Sequence, residues 1–297
     1  MIREETKPPA SLDQIKGWFP KVDQLLFTWF LERQERLGQH GDLVELGSYL
    51  GKSAVLMGRH LRGDENFTVC DLFDSEAPDD SNQAEMNGSY STLTRQAFEA
   101  NYTAFHDRLP EIVQAPTSQI LEHVDPDSCR FVHVDASHLY EHVHADIDAS
   151  HVMLPDDGVV VCDDYRSEHT PGVSAAVWEA VAVDGLRPIC VTTQKLYGVW
   201  GDMEPVQKDL LEWLAGREDL WHEVQQVAGR PLVRVKGKSS SAKKDEVAKL
   251  KERLARTERK LADTRDELRC VRESVSFRVG RSVTALPRSM RRRNPGE

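Results

Sequence analysis

The segment DLVELGSYLGKSAVLMGRHL, residues 42–61, constrains this chain more than any other stretch of it. A short apolar run reaches Glu45 and Gly47, a turn follows through Gly51, and a stretch with helical spacing starts near Ser53. A strand apolar on both faces that feeds a helix through a short turn is the opening unit of a covered, parallel sheet. The pattern then repeats. FTVCDLF, EIVQAP, FVHVDA and GVVVCDDY read as strands two to five, with helical stretches between them. LRPICVTT and LYGVWG make a last pair that short spacing favours as antiparallel. In such a sheet ligands sit beyond the strand carboxyl ends. Glu45, Asp71, Asp135, Asp163 and Asp164 all fall at or just past those ends.

Around this core the chain divides by charge. Residues 236–297 carry 19 Lys and Arg against 9 Asp and Glu, whereas residues 1–235 carry 19 against 40. A body of net charge −21 repels phosphate, so nucleic acid is not expected as a partner. The domain reading is N-terminal helices over 1–39, split at Pro20, and a core domain over 40–235. A linker over 236–243, a coiled-coil helix over 244–275 and a basic tail over 276–297 complete it. The heptad positions run from Val247 through Leu250, Leu254, Thr257, Leu261, Thr264, Leu268 and Val271 to Val275. The five cysteines form no CxxC pair or secreted framework, and Cys70 and Cys162 read as buried strand residues. With no apolar leader and no window of membrane-span length, the expected location is cytoplasmic.

The turn after the first strand selects the ligand. Its spacing is E-x-G-x-x-x-G (Glu45, Gly47, Gly51), which differs from the G-x-G-x-x-G of dinucleotide sites. GKS occurs at 51–53, but a phosphate loop needs glycine at position 46, where Leu46 stands. S-adenosylmethionine, which has no phosphate, suits this turn. Gly47 and Gly51 admit close backbone approach, Ser53 and the helix start can bind its carboxylate, and Asp71 can accept from both ribose hydroxyls. Ser48 and Tyr49 complete the expected cofactor set, to which Asp135 also contributes.

Asp135 ends the fourth strand and Asp163–Asp164 the fifth; neighbouring strands lie about 4.8 Å apart. Three carboxylates that close repel one another unless a cation sits among them. A hard divalent ion, Mg²⁺ foremost, would relieve the repulsion, with Asp135, Asp163 and Asp164 as its ligands. His138, three residues after Asp135, is placed to take a proton near neutral pH. His133 lies within its strand and reads as packed and hydrogen-bonded, and His142 is a weaker candidate. Tyr140 and Glu141 begin the next helix. Tyr165, Pro171, Gly172 and Val173 could line an acceptor pocket, and the polar insertion DSEAPDDSNQAEMNGSYS could cover it.

VELGSYLGKSAVLMGRHL resembles the first motif of class I methyltransferases and is close to that of catechol O-methyltransferases. The stretch FVHVDASHLYEHVHADIDASHVMLPDDGVVVCDDYRSEHTPGVSAAV resembles bacterial sugar O-methyltransferases of the macrolide and aminocoumarin type. The resemblance spans about residues 15–200. It implies a Rossmann-like α/β fold with a mostly parallel seven-stranded sheet and helices on both faces. It also implies a divalent ion that chelates two adjacent substrate hydroxyls. His138 falls where the catechol enzymes have a lysine, and the catalytic pair implied is His138 with Asp135. Asp163–Asp164 replaces the Asp–Asn of the catechol enzymes and is more like the sugar group. The expected function is therefore O-methylation of a sugar, glycan or other vicinal diol. Catechol methylation, or an inactive scaffold acting through its coiled coil, are the alternatives. For the C-terminal part the expectations are homo-oligomerisation through the heptads and peripheral contact of the Arg-rich end with anionic membrane at its inner face.

Overall fold

A computed structural model describes residues 8–77, 83, 93–227, 229–238 and 241–273. It divides into two compact units, residues 1–238 and residues 239–297. Most of the insertion expected as a cover (residues 78–82 and 84–92) and the basic tail lie outside the described residues.

In the first unit helix α1 (Lys21–Arg36) precedes the sheet directly after Pro20, but ahead of Pro20 the described residues form only a 3₁₀ turn (Leu12–Gln14) instead of the first of two helices. The chain then alternates through β1 (Asp42–Leu46), α2 (Lys52–Gly58), β2 (Phe67–Cys70), α3 (Arg95–Thr103) and β3 (Glu111–Val113). A second 3₁₀ turn (Thr117–Glu122) leads to β4 (Cys129–Val134), α4 (Tyr140–Met153), β5 (Val159–Cys162) and α5 (Pro171–Ala182). Then come β6 (Arg187–Val191), β7 (Leu196–Val199), α6 (Glu204–Ala215), β8 (Leu220–Val227) and β9 (Arg230–Gly237).

The strands form one sheet in the order β3-β2-β1-β4-β5-β7-β6-β9-β8. The first five are parallel, β7 runs antiparallel to both β5 and β6, and β9 pairs parallel with β6. This Rossmann-like mixed sheet has nine strands rather than the expected seven, because the antiparallel β8–β9 hairpin extends it beyond β6. The hairpin is weakly signalled in sequence. Most of β8 is half-buried or exposed, as an edge strand is, and β9 carries Pro231 opposite Gln226.

β1, β2, β4 and β5 bury almost every residue, which matches their unbroken apolar runs. Leu26, Phe27 and Phe30 of α1, Val55 of α2, Phe98 of α3 and Leu210 of α6 fill one face of the sheet. Val143 and Ile147 of α4 with Val173 and Val177 of α5 fill the other. Cys70, Cys129, Cys162 and Cys190 are buried thiols within this core. Strand order reverses at β1, between β2 and β4, and this switch point opens the crevice where open α/β sheets bind ligands.

The second unit contains a single helix among the described residues, α7 (Ser241–Glu273). Its Leu254, Leu261 and Leu268 are exposed at seven-residue intervals, and a coiled coil is not shown. Among the described residues no helix is long and apolar enough to cross a membrane.

Candidate active site

Two backbone turns build the site, one after β1 and one after β4, and Gly47 brings them together. Gly47 has φ +79°, and a Cβ there would lie 2.2 Å from the Asp135 carbonyl oxygen and 2.4 Å from the Ala136 Cα. Gly51, at φ +84°, opens α2, and its missing side chain leaves room for the Phe98 ring at 2.9 Å. Both glycines thus make room for protein as well as for the turn itself. The Asp71 carboxylate clamps the turn from β2: Oδ2 accepts from the Ser48 and Tyr49 amides at 2.8 and 3.1 Å. Oδ1 accepts from the Phe73 amide at 2.7 Å, so both oxygens are engaged within the protein. Burial raises this carboxyl, against the pull of those amides.

Glu45 is fully buried at the end of β1, and burial pushes its carboxyl up to about 8. Its Oε1 lies 2.8 Å from His133 Nδ1, while Oε2 has no hydrogen-bond partner among the described residues. An orphaned buried acceptor beside a glycine turn fits the amino group of a cofactor's amino-acid end.

From His133 the contacts continue. His133 Nε2 lies 3.0 Å from Lys195 Nζ, and Lys195 in turn donates to Asp163 Oδ2. Glu45, His133, Lys195 and Asp163 therefore form a buried polar chain that links the ends of β1, β4, β7 and β5. His133 is the packed, hydrogen-bonded strand residue expected; burial and the Lys195 charge lower its basicity, so it is neutral. Lys195 is completely buried, with Nζ 5.7 Å from the Phe19 ring centre and 6.0 Å from that of Phe27. Burial works against its charge, but Asp163, Asp135 and Asp23 outweigh it and hold the ammonium protonated. Sequence reasoning missed Lys195.

The three expected carboxylates do converge on one cavity of about 240 Å³. It is lined by Ser48, Tyr49 and Ser53 from the glycine turn, by Asp135, His138, Asp163 and Asp164, and by Lys16–Phe19 ahead of α1. Asp163 Oδ1 accepts from the Asp164 amide at 2.8 Å. Asp164, in the left-handed region at φ +51°, has Oδ2 3.4 Å from His138 Nε2 and accepts from Ser167 Oγ at 2.9 Å on Oδ1. Burial raises Asp164, but these two contacts outweigh it and hold its carboxyl below the usual value. Asp135 lacks such relief: burial and the charges of Asp163 and Asp164 push it well above the carboxylate range, with Lys195 opposing.

The donor chemistry fits a hard divalent ion, since three carboxylates share the cavity and Lys195 supplies only one positive charge. Ligand atoms of His133, Asp135 and Asp163 also come within 4.8 Å of one another. His133 is nevertheless a poor ligand, because Glu45 and Lys195 occupy its two nitrogens.

Of the expected acceptor wall, Val173 is buried but lines a small cavity with Asp135, His138, Asp163 and Asp164, and Pro171 is exposed. Tyr165 is buried and donates to the Thr192 carbonyl, and Gly172 holds the start of α5 against the 138–140 backbone. Tyr140 and Glu141 open α4 as expected, with Tyr140 Oη donating to Glu179. His142 Nδ1 lies 3.2 Å from Ser137 Oγ. The stretch before α1 was missed as part of the site, although Trp18 is 62% exposed there and its ring centre is 5.6 Å from that of Tyr49.

Residues 44–165 match the sequence model of a family described as a methyltransferase domain. No curated protein matches the chain. Among solved structures, the O-methyltransferase NovP is 18% identical, with 60% of this chain and 79% of that one covered at a TM-score of 0.51. CalS11, a TDP-rhamnose 3′-O-methyltransferase of calicheamicin biosynthesis, is 16% identical over 62% and 82% of the two chains, with a TM-score of 0.42. The SAH-bound methyltransferase PaMTH1 of Podospora anserina is 15% identical over 64% and 86%, also at 0.42. At these identities the first likeness bears on the fold alone.

Proposed function

We propose that this S-adenosylmethionine-dependent methyltransferase of the class I type methylates a hydroxyl of a saccharide or other vicinal diol, with a divalent ion at its carboxylates. The observation that carries the reading is the convergence of Asp135, Asp163, Asp164 and His138 on the cavity that the glycine turn also lines. A cofactor held there presents its methyl group to whatever the carboxylates position.

On this reading Glu45, Gly47, Ser48, Tyr49, Gly51, Ser53 and Asp71 form the cofactor turn, with Asp135 at its inner edge. Glu45 Oε2 is the acceptor for the cofactor amino group. Asp71 acts first as the clamp on the Ser48 and Tyr49 amides, and a ribose contact would add to bonds already made. Asp135, Asp163 and Asp164 would hold the ion, which when bound lowers the pKa of the acceptor hydroxyl and fixes the diol in line with the methyl group. His138 takes the hydroxyl proton, and Asp164, 3.4 Å from its Nε2, stabilises the imidazolium that results. The Phe19 and Phe27 rings keep water from the Lys195–Asp163 pair behind this centre.

Transfer of labelled methyl from the cofactor to a panel of diol saccharides and catechols tests the reading. Asp163→Ala should abolish transfer while leaving S-adenosylhomocysteine binding within about threefold. Full turnover of Asp163→Ala in chelator would refute the metal-assisted mechanism, and a preference for catechols would move the acceptor to the second class. The exposed Leu254, Leu261 and Leu268 support pairing of α7 with a second copy. Thr257 and Thr264, between them in the seam, already donate their hydroxyls to their own helix at Arg253 and Lys260. Equal oligomeric state in solution for the full chain and one ended at residue 238 would sink that pairing. Membrane contact through the basic tail rests on its charge alone, and vesicle flotation of the same two proteins tests it.

A further inference from the structure

We infer that Lys195 is a resident counter-cation of the carboxylate cluster, which lets the site fold without a divalent ion and keeps its affinity for that ion low. The inference rests on the metal-assisted reading of the site and assigns a positioning role to a residue outside the expected ligand set.

Lys195 cannot leave its place easily. A tight turn before β7 fixes its backbone: its amide donates to Thr192 Oγ1 at 2.9 Å, and its carbonyl accepts from the Thr192 amide at 2.9 Å. The side chain is fully buried between α1 and the sheet, with the Phe19 and Phe27 rings on one side. Of the three protons on Nζ, one goes to Asp163 Oδ2 and one to His133 Nε2. His133 is held in turn by Glu45. The ammonium is thus oriented by the same buried chain that reaches the cofactor turn.

The consequence falls on Asp163. One of its oxygens already accepts from Lys195 and the other from the Asp164 amide, so an incoming ion meets a carboxylate with a lone pair engaged on each oxygen and one of them paired to a cation. A cation at the three carboxylates shares Asp163 with Lys195 and is repelled by a fixed positive charge in a buried setting, where such repulsion is poorly screened. The site in the full chain is therefore expected to hold its ion loosely. Removing the lysine should tighten it, whereas losing a residue that only supports the fold would weaken it.

Titration calorimetry of Mg²⁺ and Mn²⁺ into the full chain, Lys195→Met and Lys195→Gln tests this, with thermal melting of each protein with and without the ion. The expected result is divalent affinity higher by about tenfold or more in either variant. The ion-free variants should melt lower than the parent, and the ion should restore them by a larger increment than it gives the parent. Divalent affinity equal to or weaker than the parent's, with no larger gain in melting temperature, overturns the inference. If Lys195→Met does not fold without the ion but folds with it, the counter-cation role is supported. If neither variant folds with or without it, the lysine is structural and the inference fails. Divalent binding by the parent and by neither variant also overturns it. Absence of divalent binding in all three, with methyl transfer intact, removes the metal from the proposed function as well. Loss of transfer with tighter divalent binding in the variants supports the counter-cation role and points instead at the acceptor assignment.

Discussion

Gly47→Ala should cost far more stability than a left-handed glycine normally does, because its cost has two separable parts. The first is conformational: φ is +79°, a region that costs an L-residue about 1–2 kcal/mol. The second is crowding. The new Cβ would stand 2.2 Å from the Asp135 carbonyl oxygen, 2.4 Å from the Ala136 Cα and 2.6 Å from the Ala136 nitrogen, all backbone atoms. Relief requires the two turns to part by about 1 Å, and overpacking of that kind costs about 1–3 kcal/mol more. Those turns are also pinned, Gly47 N to the Cys70 carbonyl at 2.8 Å and Asp135 N to the Leu46 carbonyl at 2.7 Å. The sum is about 2–5 kcal/mol. Gly185 supplies the control: it has the same φ of +79° and nothing within 4 Å of its added Cβ. Gly185→Ala should therefore cost only the conformational part, about 1–2 kcal/mol. Urea denaturation of the two variants, with S-adenosylhomocysteine titrations beside it, separates the parts. Equal costs at the two glycines, or unchanged cofactor-product affinity in Gly47→Ala, would refute the claim that this close approach sets the geometry of the site.

Two further predictions concern buried charge away from the cavity. Asp146 on α4 is 1% exposed, its Oδ2 has no partner among the described residues, and burial pushes its carboxyl from 3.8 to about 7. A carboxyl raised on folding contributes most below pH 3.8 and loses that contribution as pH rises through 7. The stability of Asp146→Asn relative to the parent should thus grow by about 2–4 kcal/mol between roughly pH 4 and pH 8. A pH-independent difference would contradict it. Glu65 is the opposite case: burial raises it, but Arg130 and Arg62 outweigh that and hold it at about 2. Its contribution is complete above its ordinary 4.5 and is lost as pH falls towards 2, so Glu65→Gln should flatten the acid limb of a pH–stability profile measured by chemical denaturation. An unchanged acid limb would count against the pairing.

How far the sequence carried these features depended on the kind of signal. Strands β1, β2, β4 and β5 were legible because each is buried on both faces and so reads as an unbroken apolar run between turns. The β8–β9 hairpin was not, since an edge pair with many of its side chains in water lacks that run. At the site, Glu45, Asp71, Asp135, Asp163 and Asp164 could be found because polar residues at strand ends stand out against apolar neighbours. Two features were invisible. Three converging carboxylates do need a cation, but the sequence could not show that Lys195, about thirty residues past Asp163, already supplies one. Nor could spacing reveal that the segment before α1 returns to the cavity, because Ile15, Trp18 and Phe19 stand at helical spacing and so read as a packed helix rather than as cavity lining.

Methyl transfer to a hydroxyl aligned by Asp135, Asp163 and Asp164 is tested most directly with labelled S-adenosylmethionine and a vicinal-diol saccharide. The reaction is run in Mg²⁺ and in excess chelator, with product binding measured in both. O-methylated product is expected in Mg²⁺, with turnover lower by about two orders of magnitude in chelator and S-adenosylhomocysteine affinity nearly unchanged. Undiminished turnover in chelator, or methyl found on an atom other than a hydroxyl oxygen, would contradict this mechanism.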